Sequence, residues 1–218
     1  MEKRSQKNIE KIIDILKKEY PNAKIALNFG NEFELLVAVI LSAQCTDERV
    51  NKVTPALFQR FPSVKDYAGC DLEELEKFIF STGFYRNKAK NIQAAAQMVI
   101  ENFNGKIPNN MDDLLKIPGV ARKTANVVLN IAFGKNEGIV VDTHVARISG
   151  LLGLVDMEIS RKKNAVAIEK ELMRIVPKKN WGIFPHLLTW HGRKICVARR
   201  PKCGVCPLNR ICPSAKAD

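Results

Sequence analysis

The sequence predicts an all-α protein, and three features carry that prediction. Apolar residues recur three and four apart along most of the chain, the spacing of a helix that buries one face. Sustained apolar–polar alternation, which a half-buried strand would show, is absent. Proline and glycine fall between the periodic segments, where helices have to stop. The 218 residues are enough for one sizeable core or two small domains, and a 46% hydrophobic content is that of a globular chain. No internal repeat of fixed length and no low-complexity segment interrupts it.

Ile9, Ile12, Ile13 and Leu16 mark a one-sided first helix that ends at Tyr20-Pro21. Phe33, Leu36, Val37, Ile40 and Leu41 mark a second, more apolar one that runs into Ser42-Ala43-Gln44-Cys45. A third, through Val50, Val53, Leu57 and Phe58, stops before Phe61-Pro62. Helical spacing returns over Leu72 to Ile79 and over Ala89 to Phe103. Leu114 and Leu115 close a short helix, and Ile117-Pro118-Gly119-Val120 must turn, because proline disfavours helix at the preceding residue and glycine permits a tight bend. The next helix starts at once, with Ala125, Val128, Leu129 and Ala132 on one face and Gly134 as terminator. The whole is a helix-hairpin-helix. After the apolar run Ile139-Val140-Val141, Asp142 precedes a helix over Thr143 to Gly150; Ile168, Leu172, Ile175 and Val176 give another that ends at Pro177. Trp181 and Trp190 bound an apolar stretch and are expected in the core, and charge returns with His191-Gly192-Arg193-Lys194.

Lys and Arg number 35 against 23 Asp and Glu, a formal charge of +12, which favours an anionic partner and nucleic acid first. The start, Met1 to Lys7, is polar, and no stretch approaches membrane-spanning length, so the expectation is a soluble intracellular protein, in the cytoplasm or nucleoid if prokaryotic, with no membrane partner and a monomer by default.

Residue chemistry points to three places. The hairpin should turn the backbone N–H groups of Gly119, Val120 and Ala121 outward at a helix start, an arrangement suited to a phosphate. Lys123 follows in the first turn, where the helix dipole and an apolar wall would both favour its neutral, nucleophilic amine. Asp142 is nineteen residues further on; taken singly, it reads as an N-cap and Lys123 as a surface charge. The second place is a pair of turns. Gln44 closes a buried-looking helix with an amide that both donates and accepts, while Ser81-Thr82-Gly83-Phe84-Tyr85-Arg86-Asn87-Lys88 sets two aromatic rings among cations, a composition suited to wedging into a base stack. Helix capping and core packing of Phe84 are the plain alternatives. The third is Cys196, Cys203, Cys206 and Cys212, four thiols spaced x6, x2 and x5, a metal or cluster set rather than a disulfide framework. On spacing of this general kind, zinc is at least as good a reading as iron and sulfur. Arg199, Arg200 and Lys202 stand between the first two ligands, whether to meet phosphate or to offset the thiolates. Cys45 and Cys70 are isolated and read as reduced hydrophobes.

Taken together, Pro118-Gly119-Val120-x-Arg122-Lys123-Thr124-Ala125 and Val141-Asp142-Thr143-His144-Val145-x-Arg147 resemble the active-site segment of the endonuclease III family of DNA glycosylases, and the cysteine spacing resembles that family's [4Fe-4S] loop. The resemblance covers nearly the whole chain. It implies a helix-hairpin-helix DNA glycosylase fold of two helical domains, residues 25–135 and residues 1–24 with 136–218, and an active site in the cleft between them. It implies a bifunctional glycosylase and AP lyase of base excision repair that removes oxidised or ring-damaged pyrimidines from double-stranded DNA, with Lys123 as nucleophile and Schiff-base former and Asp142 as its carboxylate. It assigns Gln44 to the space left by a flipped base and Phe84 or Tyr85 to the wedge; with it, Gly119, Val120, Ala121, Arg122, Thr124, His144, Arg199, Arg200 and Lys202 are expected to contact the DNA. The four cysteines would hold a [4Fe-4S] cluster. Two residues depart from the family's habit: the hairpin often reads Gly-Val-Gly where this chain has Ala121, harmless if that residue is helical, and the wedge is commonly aliphatic. The rival readings are a noncatalytic damage or redox sensor and a mismatch-specific glycosylase; the second lacks, in its known branches, a lysine at the position of Lys123.

Overall fold

In the computed structural model the backbone of residues 2–215 and the side chains of residues 8–215 are described, so the side chains of the polar start, Met1 to Lys7, lie outside that range. Among the described residues twelve helices follow in order: α1 (Glu2–Glu19), α2 (Glu32–Leu41), α3 (Asp47–Arg60), α4 (Val64–Ala68), α5 (Leu72–Ile79), α6 (Tyr85–Phe103), α7 (Met111–Leu114), α8 (Arg122–Phe133), α9 (Thr143–Leu151), α10 (Met157–Arg161), α11 (Ala165–Ile175) and α12 (Ile183–Lys194). Short 3-10 turns join some of them, and among the described residues there is no strand. No described helix is long and apolar enough to cross a membrane.

The chain divides into two compact units, residues 26–135 and residues 1–25 with 136–218. In the first, α2 is the organising element: Phe33, Leu35, Leu36, Val37, Ala38, Ile40 and Leu41 are all buried, so the helix has almost no wet face and other helices must wrap it. Asn31 starts it by accepting from the Glu34 N–H. Helices α3, α6 and α8 pack on α2, and α6, the longest of the unit, also carries α4 and α5. Phe61 and Tyr67 fill the space beside Phe33; the Tyr67 ring centroid is 5.2 Å from that of Phe61 and 5.3 Å from that of Phe33.

In the second unit, Ile9, Ile12, Ile13 and Leu16 of α1 are fully buried against Phe184, Leu187 and Leu188 of α12 and Ile168 and Leu172 of α11. Ile139 and Val141 of the apolar run join this core in an extended link without regular structure. Helix α9 lies on α10 and α12. The last of these packings needs Gly192, where a Cβ would come within 2.5 Å of the His144 ring and 2.9 Å of Ile148. Trp181 and Trp190, expected in the core, are half-buried at its edge, and their indole N–H groups donate to Val176 O (2.8 Å) and Lys24 O (3.3 Å).

Candidate active site

Helix α7 ends at Leu114, a tight turn carries Gly119 at φ +79°, and α8 begins at Arg122. Gly119 is required twice over: its dihedral lies in the left-handed region, and a Cβ there would approach Asn91 Cβ of α6 to 3.0 Å. Of the three amides expected to face a phosphate, Val120 donates to Ile117 O at 3.1 Å, so it closes the hairpin instead. The physical reason is the turn itself, which needs one internal bond to hold its shape. The amides of Gly119 and Ala121 make no such bond among the described residues. Ala121 is the N-cap of α8, extended at φ −91° and ψ 169°. It is not helical, and alanine is accommodated because that dihedral is open to any residue.

Lys123 is exposed in the first turn of α8, and Arg122 beside it is exposed too, while Thr124 is half-buried. The apolar wall expected to desolvate Lys123 does not cover it.

The two turns have an unusual backbone. Gln44 (φ +53°) and Phe84 (φ +48°) are non-glycine residues in the left-handed region, and both are exposed. Such conformations cost on the order of 1–3 kcal/mol and persist where the surroundings enforce them. Phe84 is 63% exposed, which rules out the core-packing alternative. Tyr85 is half-buried, its ring 4.9 Å from Phe80. Composition alone put both rings forward; only Phe84 stands clear. Beneath them the Lys88 ammonium is buried and donates to Leu41 O (2.7 Å) and Thr82 O (2.8 Å).

In the other unit, Asp142 caps α9: Oδ1 accepts from Val145 N at 2.7 Å, and Oδ2 accepts from the Thr189 hydroxyl of α12 at 3.0 Å. Both carboxylate oxygens are therefore fixed in direction, and the side chain is half-buried. His144 and His186 lie within its electrostatic reach; burial pulls both rings below the usual histidine range, and Asp142 resists that in each case. Nothing local in the sequence signals Thr189, which is 47 residues from Asp142 along the chain.

The four cysteines converge. They line one cavity of about 250 Å³ together with Arg147, Ile148, Leu152, His191 and Leu208. Burial first, and then the charge of the neighbouring cysteines, raises the Cys206 and Cys212 thiols, as expected of sulfurs that face one another. Around them stand groups suited to a negative sulfur. Arg147 donates to Cys196 Sγ (3.5 Å) and to Cys196 O (2.7 Å), and His191 Nε2 lies 3.6 Å from Cys206 Sγ. His191 is 2% exposed and its pKa is pulled down to about 4, chiefly by burial, so the ring is neutral. Once Cys206 is a cluster-bound thiolate it can only accept, which would put the ring hydrogen on Nε2 and leave Nδ1, 3.1 Å from the Tyr20 hydroxyl oxygen, as an acceptor. Four facing thiols, room between them and donors aimed at sulfur fit a multi-atom iron-sulfur group. Arg199, Arg200 and Lys202 are exposed on the loop between Cys196 and Cys203, which is pinned by Lys202 N to Ile195 O at 3.0 Å. Lys194 instead packs over Trp190, 4.8 Å from the ring centroid. Lys123 and Asp142 belong to different units.

A family model described as HhH-GPD superfamily base excision DNA repair protein matches residues 37–178, and one described as iron-sulfur binding domain of endonuclease III matches residues 196–212. The endonuclease III of Synechocystis sp. is 53% identical, covering 95% of this chain and 92% of its own, and that of Bacillus subtilis is 48% identical, covering 94% and 92%. A solved endonuclease III–DNA complex, trapped as a covalent intermediate, superposes with a TM-score of 0.88 at 46% identity over 96% of each chain. The chain therefore belongs to the endonuclease III family of base excision repair proteins: it is a DNA glycosylase with AP lyase activity, and its four-cysteine loop is that of a [4Fe-4S] cluster.

Proposed function

We propose that this enzyme removes oxidised or ring-damaged pyrimidines from double-stranded DNA through Lys123, with Asp142 as the carboxylate of the reaction. The observation that carries the reading is the placement of Lys123, an exposed amine in the first turn of α8, directly after a hairpin whose Gly119 and Ala121 amides are free to take a phosphate. A relative caught as a covalent DNA intermediate supports a nucleophile of this kind.

The lesion is turned out of the stack, with Gln44 in the vacated space and Phe84 as the wedge, at a cost of a few kcal/mol that damage lowers. Lys123 Nζ then attacks C1′ as the glycosidic bond breaks; the electron pair leaves with the base, and the amine loses a proton. Asp142, its Oδ atoms aimed by Val145 N and Thr189, stabilises the positive charge that develops on the sugar and assists that proton loss. The opened sugar forms a Schiff base with Nζ. Loss of a C2′ proton and departure of the 3′ phosphate cleave the strand, and water frees the lysine. The cluster, when bound, ties four thiolates together. Arg199, Arg200 and Lys202 on the loop it anchors meet the DNA backbone, as do His144 of α9 and Arg122 and Thr124 beside the hairpin. The enzyme acts as a monomer.

The test is Lys123→Ala on a panel of duplexes that each carry one lesion. Base release and nicking should both fall by about 10³-fold or more while duplex affinity is kept. Undiminished release from oxidised pyrimidines would contradict the role of Lys123, and preferred release of damaged purines would contradict the substrate class.

A further inference from the structure

Gln44 and Phe84, as inserting residues, sit on two separate turns that must keep one spacing. Each is a strained, exposed left-handed position on a loop, and loops of that kind drift unless something fixes them. The turns share one partner. Lys88, 5% exposed on α6, sends its ammonium to Leu41 O, the last carbonyl of α2 and three residues before Gln44, and to Thr82 O, two residues before Phe84. Both acceptors are carbonyls at the ends of helical segments, and the C-terminal end of α2 favours a cation. No carboxylate pairs with Lys88 among the described residues, and its ammonium is held by the two carbonyls. A buried cation is a costly way to cap two carbonyls, since a neutral side chain or water would do the same at lower cost. What it adds is a fixed distance between the two turns. Phe84 is the N-cap of α6, and Lys88 and Asn91, which abuts Gly119, fall three apart along it, so that helix carries the wedge, the tie and the hairpin contact together.

We propose that Lys88 is a positioning residue for base expulsion, which sets the Gln44 and Phe84 turns as one rigid pair through the carbonyls of Leu41 and Thr82. It touches neither base nor sugar. Its effect should appear only where a base has to leave a stack, and this inference rests on the inserting roles given above.

The experiment compares single-turnover base release from a duplex carrying one oxidised pyrimidine with strand cleavage of a single-stranded abasic oligonucleotide, which requires no insertion. Lys88→Met keeps the length of the stem and removes both donors. Duplex base release should fall about tenfold or more, with single-strand cleavage within about twofold of the parent. Equal losses on both substrates would make Lys88 a merely structural residue, and unchanged duplex release in a folded variant would likewise overturn the proposal. If Lys88→Met does not fold, the Lys88-intact enzyme supplies the second measurement through Gln44→Ala, Phe84→Ala and the double variant. A rigid pair predicts effects on duplex release that depart from multiplicativity by about threefold or more; multiplicative effects overturn the rigid pair. Single variants that both leave duplex release unchanged would instead overturn the inserting roles themselves, whatever Lys88→Met does.

Discussion

Asp142 is one side chain with a role in the fold and, as proposed here, a second in the reaction. As an N-cap it accepts from Val145 N, and as a proposed catalytic carboxylate it needs the second oxygen held, which Thr189 does. The two roles separate in Asp142→Asn. Asparagine caps a helix about as well as aspartate, so the change in unfolding free energy should stay under about 1 kcal/mol. DNA affinity should be kept, while turnover drops by about 10²-fold or more, because a neutral amide neither offsets charge on the sugar nor takes a proton. Unchanged turnover with unchanged stability would leave Asp142 as a cap alone. The aspartate was legible in the sequence from its place before Thr143 and from its family pattern. Thr189 was not, because it meets Asp142 across 47 residues and nothing local to a threonine inside α12 signals that bond. Lys88 was hidden for the same reason: its partner Leu41 is 47 residues away, and a lysine in a polar helix start reads as a surface charge.

At the scale of elements, periodicity was a good guide. The hairpin and α8 fall where Pro118, Gly119 and the apolar spacing put them, with Ala121 as cap and Gly134 as terminator at φ +64°. The helix over Leu72 to Ile79 and the all-apolar α2 were equally plain. What spacing did not reveal was hydrogen-bond direction inside the turn, where Val120 points its amide back to Ile117, or the left-handed backbone of Gln44 and Phe84, since neither residue is a glycine. Gly119→Ala tests the hairpin as an element. A side chain there meets both a positive φ and the Asn91 side chain, so stability should fall by about 1–3 kcal/mol. Affinity for undamaged duplex should fall with it, because the two free amides lose their aim. Denaturant unfolding and a binding titration check the pair of effects, and wild-type values in both would contradict the requirement for glycine in the turn.

Across the whole molecule, the excess of 35 Lys and Arg over 23 Asp and Glu finds its use in a DNA substrate. The four cysteines, spread over residues 196–212, line one cavity, and α9 and α12 bring Arg147 to the Cys196 sulfur and His191 to that of Cys206. Composition and spacing carried the partner class and the four ligands, whereas Arg147, His191 and Tyr20, which support the sulfurs, come from α9, α12 and the end of α1 and carried no local signal. Between its pinned ends the loop holds Arg199, Arg200 and Lys202 exposed. Replacing each by alanine should weaken damaged and undamaged duplex alike and lower the slope of log affinity against log salt by about 1 for each phosphate left without its cation. Weakening confined to damaged duplex, or no change in slope, would remove these cations from the backbone interface.

The proposed chemistry depends on Lys123 Nζ as the atom that bonds to DNA. The direct measurement is borohydride reduction of the enzyme during turnover on a lesion duplex, followed by proteolysis and mass spectrometry of the cross-linked peptide. The nucleotide remnant should sit on Lys123. A remnant on another lysine or on the N-terminal amine would contradict it.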